Sequence, residues 1–154
     1  MTPPIYKFCD WVDQEQVTKT YGFGLCANSH PALRSYYKLY PKRIHYYYIS
    51  ANESDWVGEV FHDNNHMIDN LDDGSWRNLV RNESDWAGKL LRAKIGWNPS
   101  ESRALYPDKI DWKELCHNRS NWAKELLQAN PNKIDWKELS YNNSDWANKW
   151  LQDL

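Results

Sequence analysis

This 154-residue sequence has no long apolar run, no paired cysteines and little net charge, and these three features exclude several classes of protein before any motif is considered. No run of about 18 apolar residues occurs, so we expect no membrane span, and residues 1–7 lack the apolar stretch of a secretory signal, which predicts a protein that is not secreted. The three cysteines form no Cys-x-x-Cys pair, so reduced thiols are expected. Net charge is only −2, which excludes a uniformly basic nucleic-acid binder and an acidic disordered tail.

Aromatic residues, by contrast, are frequent, and most of them fall into a repeat. The chain has 10 Trp and 10 Tyr, large side chains that exclude a disordered linker. The segment Trp112–Ala123 recurs about 24 residues later as Trp136–Ala147. With the weaker copies included, five units start near residues 22, 46, 76, 112 and 136. Insertions at about 70–75 and 94–105 explain the longer spacings, and residues 1–21 are predicted to form an N-terminal cap or arm.

Each copy predicts two short helices joined by a corner. An Asp directly before the first helix, Asp111 or Asp135, is placed to cap its free N–H groups. An Asn ends that helix, and because Asn tolerates the left-handed region we expect left-handed geometry there. A Ser two residues later starts the second helix as its N-cap. The four pairs are Asn52–Ser54, Asn82–Ser84, Asn118–Ser120 and Asn142–Ser144.

Tryptophans occupy the apolar stripe of both helices and are predicted to be the structural anchors of the repeat. The second helix carries apolar residues at i, i+1, i+4 and i+5, a spacing that fits a helix and no strand. No single unit of this size can bury such a stripe, so the units must stack. The sequence therefore predicts an all-α fold, a short-unit α-solenoid of about five helix-turn-helix repeats. The anchors are Trp56, Trp76, Trp86, Trp112, Trp122, Trp136 and Trp146.

The segments 106–112 and 130–140 carry a recognisable motif. They read Tyr-Pro-Asp-Lys-Ile-Asp-Trp and Asn-Pro-Asn-Lys-Ile-Asp-Trp-Lys-Glu-Leu-Ser. The motif resembles the short "NPDKIDW..LS.NP" helical repeats of proteins from large and giant eukaryotic double-stranded DNA viruses. The resemblance covers about residues 22–154, although this chain carries Asn-x-Ser-Asp-Trp-Ala where that family often has Asn-Pro-Asn-Ala-Ile. It implies a viral origin and a binding role, with no chemistry attached.

Candidate reactive groups all have simpler structural explanations. His62 and His66 are spaced like metal ligands, but they fall at variable, exposed repeat positions, so a solvated turn is favoured over a metal site. Cys26 and Cys116 share a repeat position with small residues, which indicates packed thiols. The four Asn-x-Ser sequons coincide with the helix corner, so capping explains them better than glycosylation. We expect no catalytic residue, metal or cofactor.

A basic and aromatic segment, residues 31–48, is the candidate binding surface. It carries Arg34, Lys38, Lys42 and Arg43 among six tyrosines and no carboxylate, whereas residues 51–75 hold seven carboxylates and no Lys or Arg. Exposed aromatic and Arg side chains are typical interface anchors. The predicted interaction residues are Trp11, Arg34, Lys38, Lys42, Arg43, Tyr47 and Trp97.

Three hypotheses of function follow. The first is a non-catalytic structural or interaction protein, a virion-associated minor capsid or cementing component of a large DNA virus, with shell proteins as partners. The second is a soluble adaptor that binds a host protein in the cytoplasm during infection. The third and least favoured is nucleic-acid binding through residues 31–48, because the acidic stretch next to it would repel phosphates.

Overall fold

The structure, a computed structural model, describes residues 25–64, 68–69, 71–94 and 109–153, and in these ranges it is helical without any strand. The prediction of an all-α protein is confirmed for this part of the chain. None of the described helices is long and apolar enough to cross a membrane. Short 3-10 turns at Pro41–Arg43 and Pro131–Lys133 accompany nine α-helices in the same ranges. The helices are α1 (Ala32–Leu39), α2 (Tyr46–Ser50), α3 (Asp55–Asp63), α4 (Asp73–Arg81), α5 (Asp85–Lys94), α6 (Trp112–His117), α7 (Asn121–Ala129), α8 (Trp136–Leu139) and α9 (Asp145–Gln152).

The helices pack in two rows, which makes the fold repeat-like. In one row α1, α3, α5 and α7 contact one another in that order, and in the other α2, α4, α6 and α8 do the same. The rows touch where α4 packs on α5 and α6 packs on α7. The predicted arm at 1–21 and most of the insertion at 94–105 lie outside the described residues, as do Trp11 and Trp97.

The core between the rows holds most of the predicted tryptophan anchors. Trp56, Trp76, Trp86, Trp122 and Trp146 are buried, and Trp112 is half-buried. Trp136, however, is 40% exposed, so the expectation of a buried anchor does not hold at that position. The reason is its neighbourhood, because α6 lies between α4 and α8, whereas α8 has only α6 beside it in the described row.

Close packing along the odd-numbered row depends on two glycines. A Cβ atom at Gly58 would lie 2.5 Å from Cβ of Trp86, and one at Gly88 would lie 2.5 Å from Cγ of Trp122. Real side chains do not approach so closely, so glycine is what lets each following tryptophan lie directly against the preceding helix. Stacking of Trp86 on Phe61, with centroids 5.5 Å apart, continues the same contact.

Helix caps follow the predicted pattern with two departures. The side chains of Asp111, Asp135, Ser84, Ser120 and Ser144 accept hydrogen bonds from backbone N–H groups three residues on, as expected for N-caps. Ser54 holds the N-cap position of α3, as predicted, but its side chain makes no such bond. Asp72, in turn, caps α4 by accepting from the Ser75 N–H at 2.7 Å. Residues 73–75, expected within an insertion, thus form the first turn of α4.

Two of the corner asparagines, Asn82 and Asn118, are not left-handed, and this corrects the predicted geometry at these positions. Asn82 and Asn118 have φ of −68° and −74° with ψ of 116° and 123°, which is extended backbone. Their side chains explain their recurrence instead. The amide of Asn118 donates to the carbonyls of Val80 at 2.8 Å and Asn82 at 3.3 Å, and its oxygen accepts from the Ser120 N–H at 2.9 Å.

The same three bonds recur at every corner and form what we call the asparagine ladder. Each buried amide donates twice to carbonyls of the preceding copy and accepts from the Ser that begins the next helix, so its polar atoms are satisfied without water. Because these side-chain nitrogens are buried and bonded, the folded chain offers none of the four as a glycan acceptor. The rungs are Asn52, Asn82, Asn118 and Asn142.

Candidate interaction surface

Lys38–Arg43, which we call the α1 corner, lie where α1 ends and the first 3-10 turn begins. Their backbone has the form used by other copies: Tyr40 has φ −128° and ψ 60°, against −127° and 60° at Asn64 and −131° and 60° at Asn130. The corner is therefore a standard element of the repeat. Its side chains are what set it apart.

The difference begins with the helix C-cap. Asn64 and Asn130 each donate a side-chain N–H, at 2.9 Å, to the carbonyl four residues earlier, which adds a hydrogen bond at the end of the helix. Tyr40 has no amide to do this. Its ring instead packs against Tyr36, with centroids 5.1 Å apart, and lies beneath the Arg43 guanidinium, 6.0 Å from its carbon. A polar cap is thus replaced by an aromatic–cation cluster.

Both apolar and basic side chains are exposed at the α1 corner. Leu39 is 69% exposed and Tyr40 is 49% exposed, two of the few large apolar side chains at the described surface. Lys38, Lys42 and Arg43 are exposed, and no carboxylate in the described ranges forms an ion pair with them. Three cations and an apolar centre therefore face solvent together.

Tyr36 fixes one of these cations from below. Burial raises the pKa of the Tyr36 hydroxyl, and the neighbouring Arg43, which bonds to it, opposes that shift. Arg43 is thereby held between a phenol oxygen and the Tyr40 ring. A side chain ordered before binding loses less conformational freedom when a partner arrives.

Two other residues predicted for the surface, Arg34 and Tyr47, are exposed as well, but each also makes a contact within the fold. Arg34 forms an ion pair with Glu59, which joins α1 to α3. Tyr47 covers Gly74 at the start of α4, since a Cβ there would lie 3.2 Å from the Tyr47 ring, and its carbonyl accepts from the Asn78 side chain at 2.8 Å. Of the five predicted interaction residues in the described ranges, Lys38, Lys42 and Arg43 are thus brought together on one exposed corner.

Three carboxylates of the expected acidic stretch are engaged in a cap or in ion pairs, although all three remain exposed. Asp72 caps α4, and hydrogen bonding from Ser75 lowers the pKa of its carboxyl. Asp73 pairs with Lys109 at 3.3 Å, and Glu59 is the partner of Arg34. The contrast between a basic and an acidic half is therefore weaker at the surface than in the sequence.

Buried thiols and exposed histidine complete the list of candidate groups. Cys26 Sγ lies 3.1 Å from the Tyr37 hydroxyl and accepts from the His45 N–H at 3.3 Å, while burial raises the pKa of both thiols, Cys26 and Cys116. Such thiols stay protonated and packed. His62 is exposed and lies near Asp63, and the described residues contain no group of three or more side chains that could hold a metal. His66 lies outside the described ranges.

The α1 corner is an exposed cluster that combines basic and apolar side chains, whereas many of the other polar residues of the motif take part in caps, ion pairs and ladder bonds. Comparison with known proteins adds no identity: no family model, curated protein or solved structure matches the chain.

Proposed function

We propose that the chain is a non-catalytic protein-interaction protein built as a short-unit α-solenoid of about five repeats. The asparagine ladder is the observation that carries this proposal. Its amides join each copy to the one before, so the polar residues that recur in the motif hold units together. A stack of this kind presents an extended outer surface, which is how repeat proteins bind partners.

The viral resemblance of segments 106–112 and 130–140 gives the proposal a setting. We assign the chain to the virion of a large DNA virus, as a minor capsid or cementing protein in contact with shell proteins. Ion pairs between neighbouring copies support a rigid role: Arg81 meets Glu114 at 2.6 Å and Arg119 meets Glu83 at 2.8 Å. A stiff stack suits a component that bridges other subunits.

Crosslinking mass spectrometry on the protein isolated from its native source tests this role. Amine-reactive crosslinks report on exposed lysines, such as Lys42 on the α1 corner and Lys137 on α8. Stoichiometric crosslinks to a major shell protein support the virion role and identify the face that binds. Recovery as a free protein contradicts it.

A soluble adaptor that binds a host protein is the second candidate, and the same experiment separates the two. Crosslinks exclusively to host proteins, with the chain absent from purified particles, favour the adaptor. Nucleic-acid binding is the weaker third possibility, because Arg34 is already paired with Glu59 and Tyr47 already packs on Gly74.

A further inference from the structure

We propose that the α1 corner binds an acidic peptide segment of a partner protein, with an apolar side chain of that segment covering Leu39 and Tyr40. The proposal rests on the interaction role above and specifies the chemistry of one contact. It is carried by the combination of an exposed apolar centre with three cations that have no ion-pair partner in the described ranges, on a backbone shared with copies that lack the apolar centre.

The comparison between copies isolates what is special about this corner. Leu39 and Tyr40 occupy the repeat positions that hold Asp63 and Asn64 at the end of α3. Since Asn64 and Tyr40 have the same backbone angles, the fold itself does not require the aromatic residue. An exposed leucine and tyrosine in place of a carboxylate and a capping amide give up solubility and a hydrogen bond, which is typical of a surface kept for binding.

Charge selects the class of peptide. Lys38, Lys42 and Arg43 surround the apolar centre without an ion-pair partner in the described ranges, so carboxylates on a partner would meet three cations. Asp63 lines the shallow groove of about 340 Å³ that Lys38 shares with α3. Arg34, which is paired with Glu59, lines the same groove, so the charges of Lys38 and Asp63 offset each other there, whereas Lys42 and Arg43 lie outside its lining and are left to meet acidic groups.

Ring geometry favours a peptide over a nucleic acid. Base stacking needs an open aromatic face, and the Tyr40 ring already has Arg43 above it and Tyr36 packed against it. Leu39, the most exposed apolar side chain of the corner, can cover an aliphatic or aromatic side chain but offers no π-face to a base. The corner therefore matches a segment with alternating carboxylates and apolar residues.

Fluorescence anisotropy with defined probes tests the proposal on the full chain. The probes are a labelled 12-residue peptide that alternates Glu with Leu and Phe (about 12 residues spans such a corner), the same peptide with Ser in place of Leu and Phe, and a single-stranded oligonucleotide. We expect saturable binding of the first peptide. The double variant L39D/Y40N, which gives the corner the residue pair that ends α3, should weaken it at least about tenfold.

Charge reversal provides the second variant and its matched control. K42E/R43E should weaken binding of the first peptide at least about tenfold, and added salt should weaken it in the wild type. The control is K133E, because Lys133 holds in the copy that starts near 112 the repeat position that Arg43 holds in the copy that starts near 22. This variant should leave binding unchanged. Circular dichroism checks that every variant is folded, and if L39D/Y40N is not, K42E/R43E decides alone.

Three results would overturn the proposal: equal binding of the serine peptide, tighter binding of the oligonucleotide through the same cations, or no loss in either double variant. These outcomes are separable from failure of the proposed function. Shell-protein crosslinks that persist in L39D/Y40N would leave the interaction role intact and overturn only the assignment of the α1 corner as the contact. Loss of all partner crosslinks from the wild type would remove the interaction role itself.

Discussion

Replacement of Asn118 by Ala should be among the most destabilising single changes in the ladder. Its side chain is 2% exposed, donates to the Val80 and Asn82 carbonyls at 2.8 and 3.3 Å, and accepts from the Ser120 N–H at 2.9 Å and hydroxyl at 2.6 Å. At about 1 kcal/mol net per hydrogen bond, with buried carbonyls left unpaired, Asn118→Ala should lower the free energy of unfolding by about 3–4 kcal/mol.

Urea unfolding monitored by far-ultraviolet circular dichroism and by tryptophan fluorescence measures this loss. Asn28→Ala is the matched control, because Asn28 holds the same repeat position but is exposed and, among the described residues, its side chain accepts a single bond, from the His30 N–H at 2.8 Å. That control should cost no more than about 1 kcal/mol. If the two variants lose equal stability, the buried amides do not hold the copies together and the reasoning is wrong.

Three further predictions concern packing, capping and pH. Gly88→Ala places a Cβ 2.5 Å from Trp122 Cγ and should lower the free energy of unfolding by about 1–3 kcal/mol, seen as a lower Tm. Tyr40→Asn restores the amide cap of the other copies and should raise Tm slightly, and a marked fall would show that the ring is structural. Burial raises the pKa of both Cys26 and Tyr37, so the folded state keeps protons that the unfolded chain releases, and the free energy of unfolding should fall as pH rises above about 8.5. Urea titrations at neutral and alkaline pH measure that slope, and a stability that rises instead would contradict it.

Local signals in the sequence are sufficient to predict the helices. Asp111 and Ser120 predict where α6 and α7 begin, and both caps form as predicted. Asp72 is not predicted as a cap, because the repeat alignment matches Asp69 to Asp135. An extra helical turn at the start of α4 shifts the cap by three residues. Periodicity fixes a frame but not the length of a helix within it.

Long-range contacts account for what the sequence did not reveal. Local preference suggested left-handed asparagines, whereas carbonyls of the preceding copy, 24 to 38 residues away, determine their conformation. Likewise, nothing in the charge pattern distinguishes Arg34 from Arg43. The first is paired with Glu59, 25 positions later, and the second remains on the surface above Tyr40.

The ladder also determines where this chain can change in length. Successive corner asparagines from Asn28 to Asn142 lie 24, 30, 36 and 24 residues apart, yet the amide of each of the four rungs reaches the two equivalent carbonyls of the preceding copy. Lengthening a connection costs little, since doubling a loop adds only about 0.6 kcal/mol of closure entropy. Segments grafted between rungs, such as after α5, should therefore leave the register of the copies unchanged, and the chain can acquire new surface loops by insertion without redesign of its core.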